Sequence, residues 1–418
     1  MQTITQIPKD KTLDNTIALS REGYLFIKNR TQEHQSDIFE THLFGEKVIC
    51  ISGEEYAKLF YNAEKFQRNG AAPKRIQKTL FGENAIQTMD GEAHSHRKSV
   101  FMSLMTTERQ NELASLVRNK LEASIPRWET SDKVVLFDEA KYILCEAACE
   151  WSGVPIGETE IRERANDFNA MVEGFGSIGP RYWIGKGSRE RAETWIKDII
   201  KDVRSGNLNV RENSALHAMA FHKDLEGNEL DPHMASVELI NVLRPIVAIS
   251  TYITFAALAL HDYIECRECL HSGDEDYLQM FTQEVRRYYP FTPFVGARVK
   301  KDFIWNEYEF KQGNLVLLDI YGNNHDPRIW NSPNKFNPNR FRNFKVDLFN
   351  FMPQGGGDPS ISHRCPGEGI TVEVMKTFLN FLISKIDYQV PSQNLSYNLS
   401  RIPTLPESGF VMYNIKRR

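Results

Sequence analysis

The chain has 418 residues, 41% of them hydrophobic, with a formal net charge of −4 and a pI near 6.3. This length permits a large buried core, and the interspersed charges give no basic footprint for nucleic acid. Six scattered cysteines are too few for a disulfide scaffold of this size. Residues 1–9 show neither a signal-peptide apolar region nor a spanning helix, which predicts a cytoplasmic protein without a membrane span.

Strand-like runs occupy residues 23–27 and 47–51, and residues 54–62 follow as a predicted helix. Helical periodicity then dominates residues 91–290, with one glycine-rich interruption at 173–180. Strand-like segments return at 295–299 and 314–321, and no Pro/Ser-rich linker divides the chain. We therefore predict one domain over residues 1–418 that is mainly α with a small β portion. Its β-rich part covers about residues 1–60 and its helical body about 61–418.

A long apolar helix is predicted over residues 237–260, and Arg244 and Pro245 stand side by side in it. Proline removes a backbone hydrogen bond and bends a helix axis. Arginine between Leu243 and Ile246 would be a fixed cation in an apolar pocket, which is costly without an anionic partner. No carboxylate lies within five positions of it in sequence, so the partner is either a ligand or an acidic group elsewhere in the protein or in a molecule bound to it.

Cys365 directly precedes an amphipathic stretch in which apolar residues recur every four positions from Ile370 to Leu382, as in a buried helix. A sulfur at a helix start faces free backbone N–H groups, which stabilise a thiolate. Gly367 and Gly369 would let the backbone approach a flat, bulky group. A thiolate held against a planar group is how cysteine ligates haem iron. An ordinary structural cysteine is the alternative.

Glu284 and Arg287 lie three positions apart on one predicted helix face, and Arg340 follows in the run 336–341. A helix-borne Glu/Arg pair, a second arginine and then a cysteine before a long helix resemble the cytochromes P450 in order and spacing. The resemblance implies the cytochrome P450 fold, with haem b between the long central helix and the cysteine loop. It also implies Cys365 as the axial iron ligand and a structural ion network of the three charged residues.

A typical P450 carries an acid followed by threonine where this chain has Arg244 and Pro245. That departure, the run 283–291 and the long loop 353–365 resemble the CYP152 family of fatty-acid peroxygenases, with similarity along essentially the whole chain. The resemblance implies a haem-thiolate enzyme that uses hydrogen peroxide, without an obligatory redox partner, on long-chain fatty acids. The main reaction would be hydroxylation at the α or β carbon, with decarboxylation to terminal alkenes as a parallel activity.

The same resemblance assigns the catalytic positions. Arg244 would anchor the substrate carboxylate, and Pro245 would shape the peroxide site. Gln87 would face the haem near the substrate, with Phe81 packed beside it. Alkene-forming members tend to carry histidine at the position of Gln87, whereas Phe81 is the aromatic found in those members. We therefore expect hydroxylation as the main outcome and alkene as a side product, unless Gln87 is a polar spacer without influence.

Further contacts follow from the resemblance. Val172, beside Phe175 and the glycine-rich stretch, would belong to a mobile lid. Phe291 and Phe294 would line the acyl channel, although such aromatics are more often plain core. Four residues would hold the haem propionates: His94, Lys98, Arg68 and His363.

Three other functions are compatible with parts of the pattern. One is a P450 monooxygenase that depends on redox partners, against which the absent acid–threonine pair argues. A second is an enzyme that is predominantly a terminal-alkene-forming decarboxylase. The third is a non-catalytic haem protein that senses or carries fatty acids.

Overall fold

The computed structural model describes residues 5–418, so the first part of the N-terminal stretch, residues 1–4, lies outside the described residues. About 52% of the chain is helical and 12% is strand, which confirms a mainly α protein. The helices are α1 Thr16–Glu22, α2 Phe26–His34, α3 Glu54–Phe60, α4 Lys74–Ile76, α5 Gly91–Leu104, α6 Thr107–Glu129, α7 Leu136–Ser152, α8 Ile161–Phe175, α9 Pro180–Arg204, α10 Ala215–Ala220, α11 Pro232–Asp262, α12 Ile264–His271, α13 Glu275–Tyr288, α14 Ile320–Asn323 and α15 Glu368–Ser384. The strands are β1 Ile38–Leu43, β2 Glu46–Ile51, β3 Phe66–Gln67, β4 Val134–Val135, β5 Phe294–Val299, β6 Phe303–Trp305, β7 Tyr308–Phe310, β8 Leu315–Asp319, β9 Ile386–Gln389 and β10 Val411–Arg417.

The main sheet has five strands in the order β1-β2-β8-β5-β3. Strands β1 and β2 form an antiparallel hairpin, and β2 pairs in parallel with β8, with Val48 opposite Leu315. The predicted β-rich N-terminal part thus supplies only two of the five strands, and the C-terminal half supplies the strand that joins them to the rest. The single-domain division of the chain stays a prediction.

The strand prediction for residues 23–27 is wrong. Residues 23–25 form a 3-10 turn that leads directly into α2. The neighbours Phe26 and Ile27 are both buried in a cluster with Phe39 and Val48 of the hairpin. A short apolar run does not distinguish a strand from a buried helix start by its periodicity, and packing against the sheet selects the helix.

Helix α11 crosses the middle of the helical body and packs against α7, α9 and α15. It begins at Pro232, and the Asp231 carboxylate accepts hydrogen bonds from the backbone N–H groups of His233 (3.0 Å) and Met234 (3.1 Å). It is the one helix within residues 5–418 that is long and apolar enough to cross a membrane, and 89% of its most apolar window is buried inside the protein. Its hydropathy therefore matches its place in the core.

Pro245 does not interrupt α11, which continues as helix on both sides of it. Over residues 235–260 every side chain is buried except those of Pro245 and Ala248. These two lie three positions apart and so share one face of the helix. That face is where α11 keeps accessible surface inside an otherwise closely packed core.

Candidate active site

Arg244 lies next to this face and is 7% exposed. Its Nε is buried without a hydrogen-bond partner, and no salt bridge joins it to an acid among residues 5–418. Burial, together with the nearby charge of Arg189 and against the opposing effect of Cys365, lowers the pKa of the guanidinium to about 9. The alternative of a protein carboxylate as partner is therefore not what the described residues show. An unpaired buried guanidinium of this kind is a candidate binding group for an anion from outside the chain.

Pro245 has no backbone N–H, so it cannot donate to the carbonyl of Asn241 four residues earlier. The Asn241 side chain is 6% exposed, and its Nδ2 donates to the carbonyl of Phe81 (2.8 Å) and towards Oε1 of Gln87 (3.4 Å). Asn241 Oδ1 is buried without a partner. The structure thus brings Gln87 and the Phe81 backbone to α11 one turn before Arg244, and the roles of Gln87 and Phe81 beside the substrate stay predictions.

Two buried charged residues that the sequence analysis missed hold this arrangement. Glu238, one turn before Asn241, accepts a hydrogen bond from the backbone N–H of Ile86 (2.9 Å). Arg189 of α9 donates to the carbonyls of Leu80 (3.1 Å) and Phe81 (3.2 Å). The three-residue steps from Glu238 to Asn241 and from Asn241 to Arg244 make each consecutive pair neighbours on the helix, and this was the sequence signal that linked the three residues.

Cys365 lies three residues before α15, as predicted for a sulfur at a helix start. Its backbone N–H donates to the carbonyl of Gln354 (3.1 Å), and the Gln354 Nε2 lies 3.7 Å from its Sγ. Burial raises the pKa of the thiol, while the backbone N–H of Gly367 and the cation of Lys98 act in the opposite direction. The residue nevertheless keeps accessible surface. Cys365 is therefore a cysteine in a desolvated environment whose side chain and backbone are not completely enclosed by the protein.

The expectation for the loop glycines is only partly met. A Cβ on Gly369 would lie 2.4 Å from Oε1 of Gln110, so this glycine permits close contact with α6. A Cβ on Gly367 would lie 3.8 Å from the Cys365 sulfur, which is ordinary contact. Close approach to a planar group is therefore not the reason for Gly369.

The four residues predicted to hold propionates lie together. The rings of His94 and His363 stack with centroids 4.0 Å apart, and burial lowers the pKa of His94 to about 4. The backbone N–H of Arg68 donates to Asp90 Oδ1 (2.8 Å), from which His363 Nε2 lies 3.9 Å away, and the Arg68 charge lowers the pKa of both histidines. Lys98 donates to two loop carbonyls, those of Ser362 (3.0 Å) and Arg364 (2.7 Å), so it also fastens the cysteine loop.

The predicted ion network is present. Both oxygens of the Glu284 carboxylate accept from Arg287, at 2.7 and 2.8 Å, and Arg340 donates to the same carboxylate at 3.0 Å. Glu284 and Arg287 are almost wholly buried. Their hydrogen bonds join α13 to the segment around residues 331–340, so the network fixes the chain that leads to the cysteine loop.

The three residues predicted to contact the outer part of the substrate lie in different parts of the structure. Phe291 stacks on Tyr252 of α11 with ring centroids 4.3 Å apart, on the helix that carries Arg244. Phe294 packs instead against the cluster of α2 and the main sheet. Val172 is half-buried near the end of α8, where the Glu173 carboxylate pairs with Arg181 at 3.1 Å. The lid role of Val172 stays a prediction.

The residues present fit a haem group. Cys365 keeps accessible surface just before α15, and the set of buried cationic and ring N–H groups beside it has two carboxylates, those of Asp90 and Asp358, in its neighbourhood. Cys365 would ligate the iron, and Arg68, His94 and His363 would receive the propionates. Fold and site together define a haem-thiolate protein.

Comparison with known proteins gives the family. The Cytochrome P450 family model matches residues 273–411. The solved structure of P450EX alpha (CYP152N1) with myristic acid is 45% identical at a TM-score of 0.96, covering 99% of this chain and 100% of that chain. A variant of OleT in complex with arachidonic acid is 36% identical at a TM-score of 0.96, covering 99% of both chains. Protopanaxadiol 6-hydroxylase of Panax ginseng is 22% identical over 416 residues, 92% of this chain and 86% of that protein.

Whole-chain identity at this level shows that the chain belongs to the CYP152 fatty-acid peroxygenase family of cytochromes P450. The resemblance drawn from residues 243–247, 283–291 and 353–365 is thereby confirmed. The cytochrome P450 fold and the enzyme class, an oxidoreductase, are confirmed with it.

Proposed function

We propose that this protein hydroxylates long-chain fatty acids at the α or β carbon with hydrogen peroxide as co-substrate and without an obligatory redox partner. Terminal alkenes form in parallel by decarboxylation. The observation that carries the proposal is Arg244, a buried guanidinium without an anionic partner among the described residues. Its family members have been solved with myristic and arachidonic acids, which present the required carboxylate.

Arg244 would bind the substrate carboxylate through two parallel N–H···O bonds. Tethered there, the carboxylate stands where a typical P450 has its acid. One carboxylate oxygen takes a proton from hydrogen peroxide and returns it to the oxygen that leaves as water, which is general acid–base catalysis by the substrate. Haem, when bound through Cys365, supplies the oxidation of the C–H bond. The short reach from Arg244 limits that oxidation to carbons next to the carboxylate.

The test is product analysis on purified, haem-loaded protein. A defined saturated fatty acid and hydrogen peroxide are added, and the 2-hydroxy acid, 3-hydroxy acid and alkene are quantified by gas chromatography with mass spectrometry. Parallel reactions contain a ferredoxin, its reductase and NADPH in place of peroxide, with catalase present. Products with peroxide alone support the proposal.

Two outcomes would replace it. Products that require the reductase system would identify a redox-partner-dependent monooxygenase. A spectral change on adding fatty acid, with no product under either condition, would identify a sensor or carrier.

A further inference from the structure

Glu238 is the one acid of α11 that points into the wall of this site, and it is 0% exposed. Its Oε1 accepts from the backbone N–H of Ile86 (2.9 Å) and from Nη1 of Arg97 (3.1 Å). Its Oε2 accepts from Nδ2 of Asn241 (3.3 Å). A buried carboxylate normally costs free energy unless it is fully hydrogen-bonded, and here both oxygens are engaged. Only one of the three donors, Arg97, is a charge partner.

The residues 80–87, which we call the wall segment, carry both Phe81 and Gln87. Arg189 holds its first part through the carbonyls of Leu80 and Phe81, and Glu238 holds its last part through the N–H of Ile86. Between these two attachments the segment is in close contact with α11, because a Cβ on Gly82 would lie only 2.4 Å from a side-chain carbon of Val237. The wall segment is therefore fixed to α9 and α11 by the side chains of Arg189 and Glu238.

Asn241 connects Glu238 to the pocket. Its Nδ2 faces three acceptors, the Phe81 carbonyl, Gln87 Oε1 and Glu238 Oε2, which fixes the orientation of its amide. Its Oδ1 consequently points away from Glu238 and is buried without a partner, one turn before Arg244. Loss of the Glu238 acceptor would free the amide to rotate and would free the N–H of Ile86 at the same time.

We propose that Glu238 is a positioning residue that selects among the products of this site. Through Ile86 and Asn241 it sets where Gln87 and Phe81 stand relative to the substrate carbons that Arg244 holds. Which carbon is oxidised depends on the position of the fatty-acid chain, and displacements shorter than one C–C bond matter. A small shift of the wall segment therefore changes the ratio of products. The inference rests on the proposed fatty-acid oxidation.

The substitution Glu238→Gln tests it with almost no change of volume. A glutamine has one acceptor oxygen and one NH₂ group, so it cannot accept from Ile86 and Asn241 on both sides, and one of the two contacts becomes donor against donor. The matched control is Glu139→Gln on α7. Glu139 is also a buried carboxylate, and it accepts from Arg127 (2.9 Å) and Trp128 Nε1 (2.8 Å) without touching the wall segment.

Haem content, the fatty-acid-induced spin-state titration and the three-way product ratio are measured on both variants. For Glu238→Gln we expect the ratio of 2-hydroxy acid, 3-hydroxy acid and alkene to change at least threefold, while the apparent Kd for fatty acid stays within threefold because Arg244 is intact. For Glu139→Gln we expect the ratio of the unmodified protein. An unchanged ratio in an active Glu238→Gln enzyme overturns the inference, and so does an equal change in both variants.

If Glu238→Gln does not load haem, Glu238→Asp decides. It keeps the charge and both oxygens but is one methylene shorter, so it cannot reach both contacts. We expect the product ratio of Glu238→Asp to differ from that of the unmodified protein by less than the threefold change expected for Glu238→Gln. A product ratio equal to that of the unmodified protein would contradict the inference. Absence of product from the unmodified protein would instead refute the proposed function, so the two failures are distinguishable.

Discussion

Asn241 and Arg244 lie one turn apart on α11, and each keeps a buried polar atom without a partner among residues 5–418. The atom of Asn241 is an acceptor, Oδ1, and that of Arg244 is a donor, Nε. Because an unpaired buried polar group costs about 1–3 kcal/mol, a bound molecule that offered hydrogen bonds to both atoms would be stabilised here. A carboxylate would satisfy the donor, and an O–H group would satisfy the acceptor.

Replacement of this guanidinium should abolish turnover. In Arg244→Ala we expect kcat/KM for a long-chain fatty acid to fall at least about 30-fold, since the loss of one partner in a buried charge pair costs about 2–5 kcal/mol. Haem content should not change, because Arg244 is not among the residues expected to hold haem. Arg244→Lys keeps a positive charge but lacks the planar guanidinium, so its kcat/KM should lie between the values of the unmodified protein and Arg244→Ala. Full activity in Arg244→Ala would rule out the carboxylate anchor.

Gln87 can accept and donate hydrogen bonds but cannot transfer a proton near neutral pH, whereas histidine can. We therefore expect Gln87→His to raise the fraction of alkene severalfold at the expense of hydroxy acids, as measured by chromatography after addition of peroxide. Gln87→Asn, which shortens the side chain without adding a titrating group, is the control. If both variants give the original product ratio, Gln87 is only a polar spacer.

The Glu284 network should matter for stability and not for product choice. Glu284→Gln leaves Arg287 buried with a weakened partner, and breaking a buried ion pair in this way costs about 3–5 kcal/mol. We expect the urea midpoint and haem retention to fall together. Glu55→Gln, in an exposed pair with Lys58, should change the free energy of unfolding by less than about 1 kcal/mol. A stable Glu284→Gln protein with altered products would contradict this assignment.

His325 should contribute to acid sensitivity. Burial and the neighbouring Arg287 lower its pKa to about 3, against 6.5 for an unperturbed histidine. Between pH 3 and 6.5, His325 is therefore protonated in the unfolded chain but neutral in the folded chain. The free energy of unfolding should therefore fall as the pH drops from about 6.5 towards 3, by up to about 1.4 kcal/mol per pH unit.

Urea unfolding at a series of pH values measures this slope. His325→Gln removes one proton-binding group from the unfolded chain, so the slope should become smaller by up to about 1.4 kcal/mol per pH unit. His261→Gln, at an exposed position, is the control and should change the slope less. Equal slopes in the unmodified protein and His325→Gln would show that His325 does not set the acid response.

Much of the fold follows from local patterns in the chain. The apolar period of α11, the amphipathic stretch of α15 and the i, i+3 pair of Glu284 and Arg287 each depend on residues close in sequence, and each is present as predicted. Residues 23–27 were misjudged because their state depends on a sheet that forms from distant segments.

The site divides in the same way. Arg244 and Cys365 were evident because each violates a local expectation, a charge in an apolar helix and a sulfur at a helix start. Arg189 conforms to an ordinary helix surface in the sequence. Glu238 is, like Arg244, a charge in the apolar helix α11, but its partners come from residues 80–87 and Arg97, which only the folded chain brings to it. Residue patterns show which side chains are unusual, while partners contributed by a remote loop appear only in three dimensions.

The parallel pairing of β2 with β8 has a consequence for synthesis of the protein. The hairpin of residues 38–51 leaves the ribosome long before residues 315–319, which lie more than half the chain away. At translation rates of about 5–20 residues per second, an apolar strand edge waits on the order of tens of seconds for its neighbour. Until then its unsatisfied amides are open to pairing with other nascent chains, so yield of the native enzyme should depend on how quickly its later half emerges.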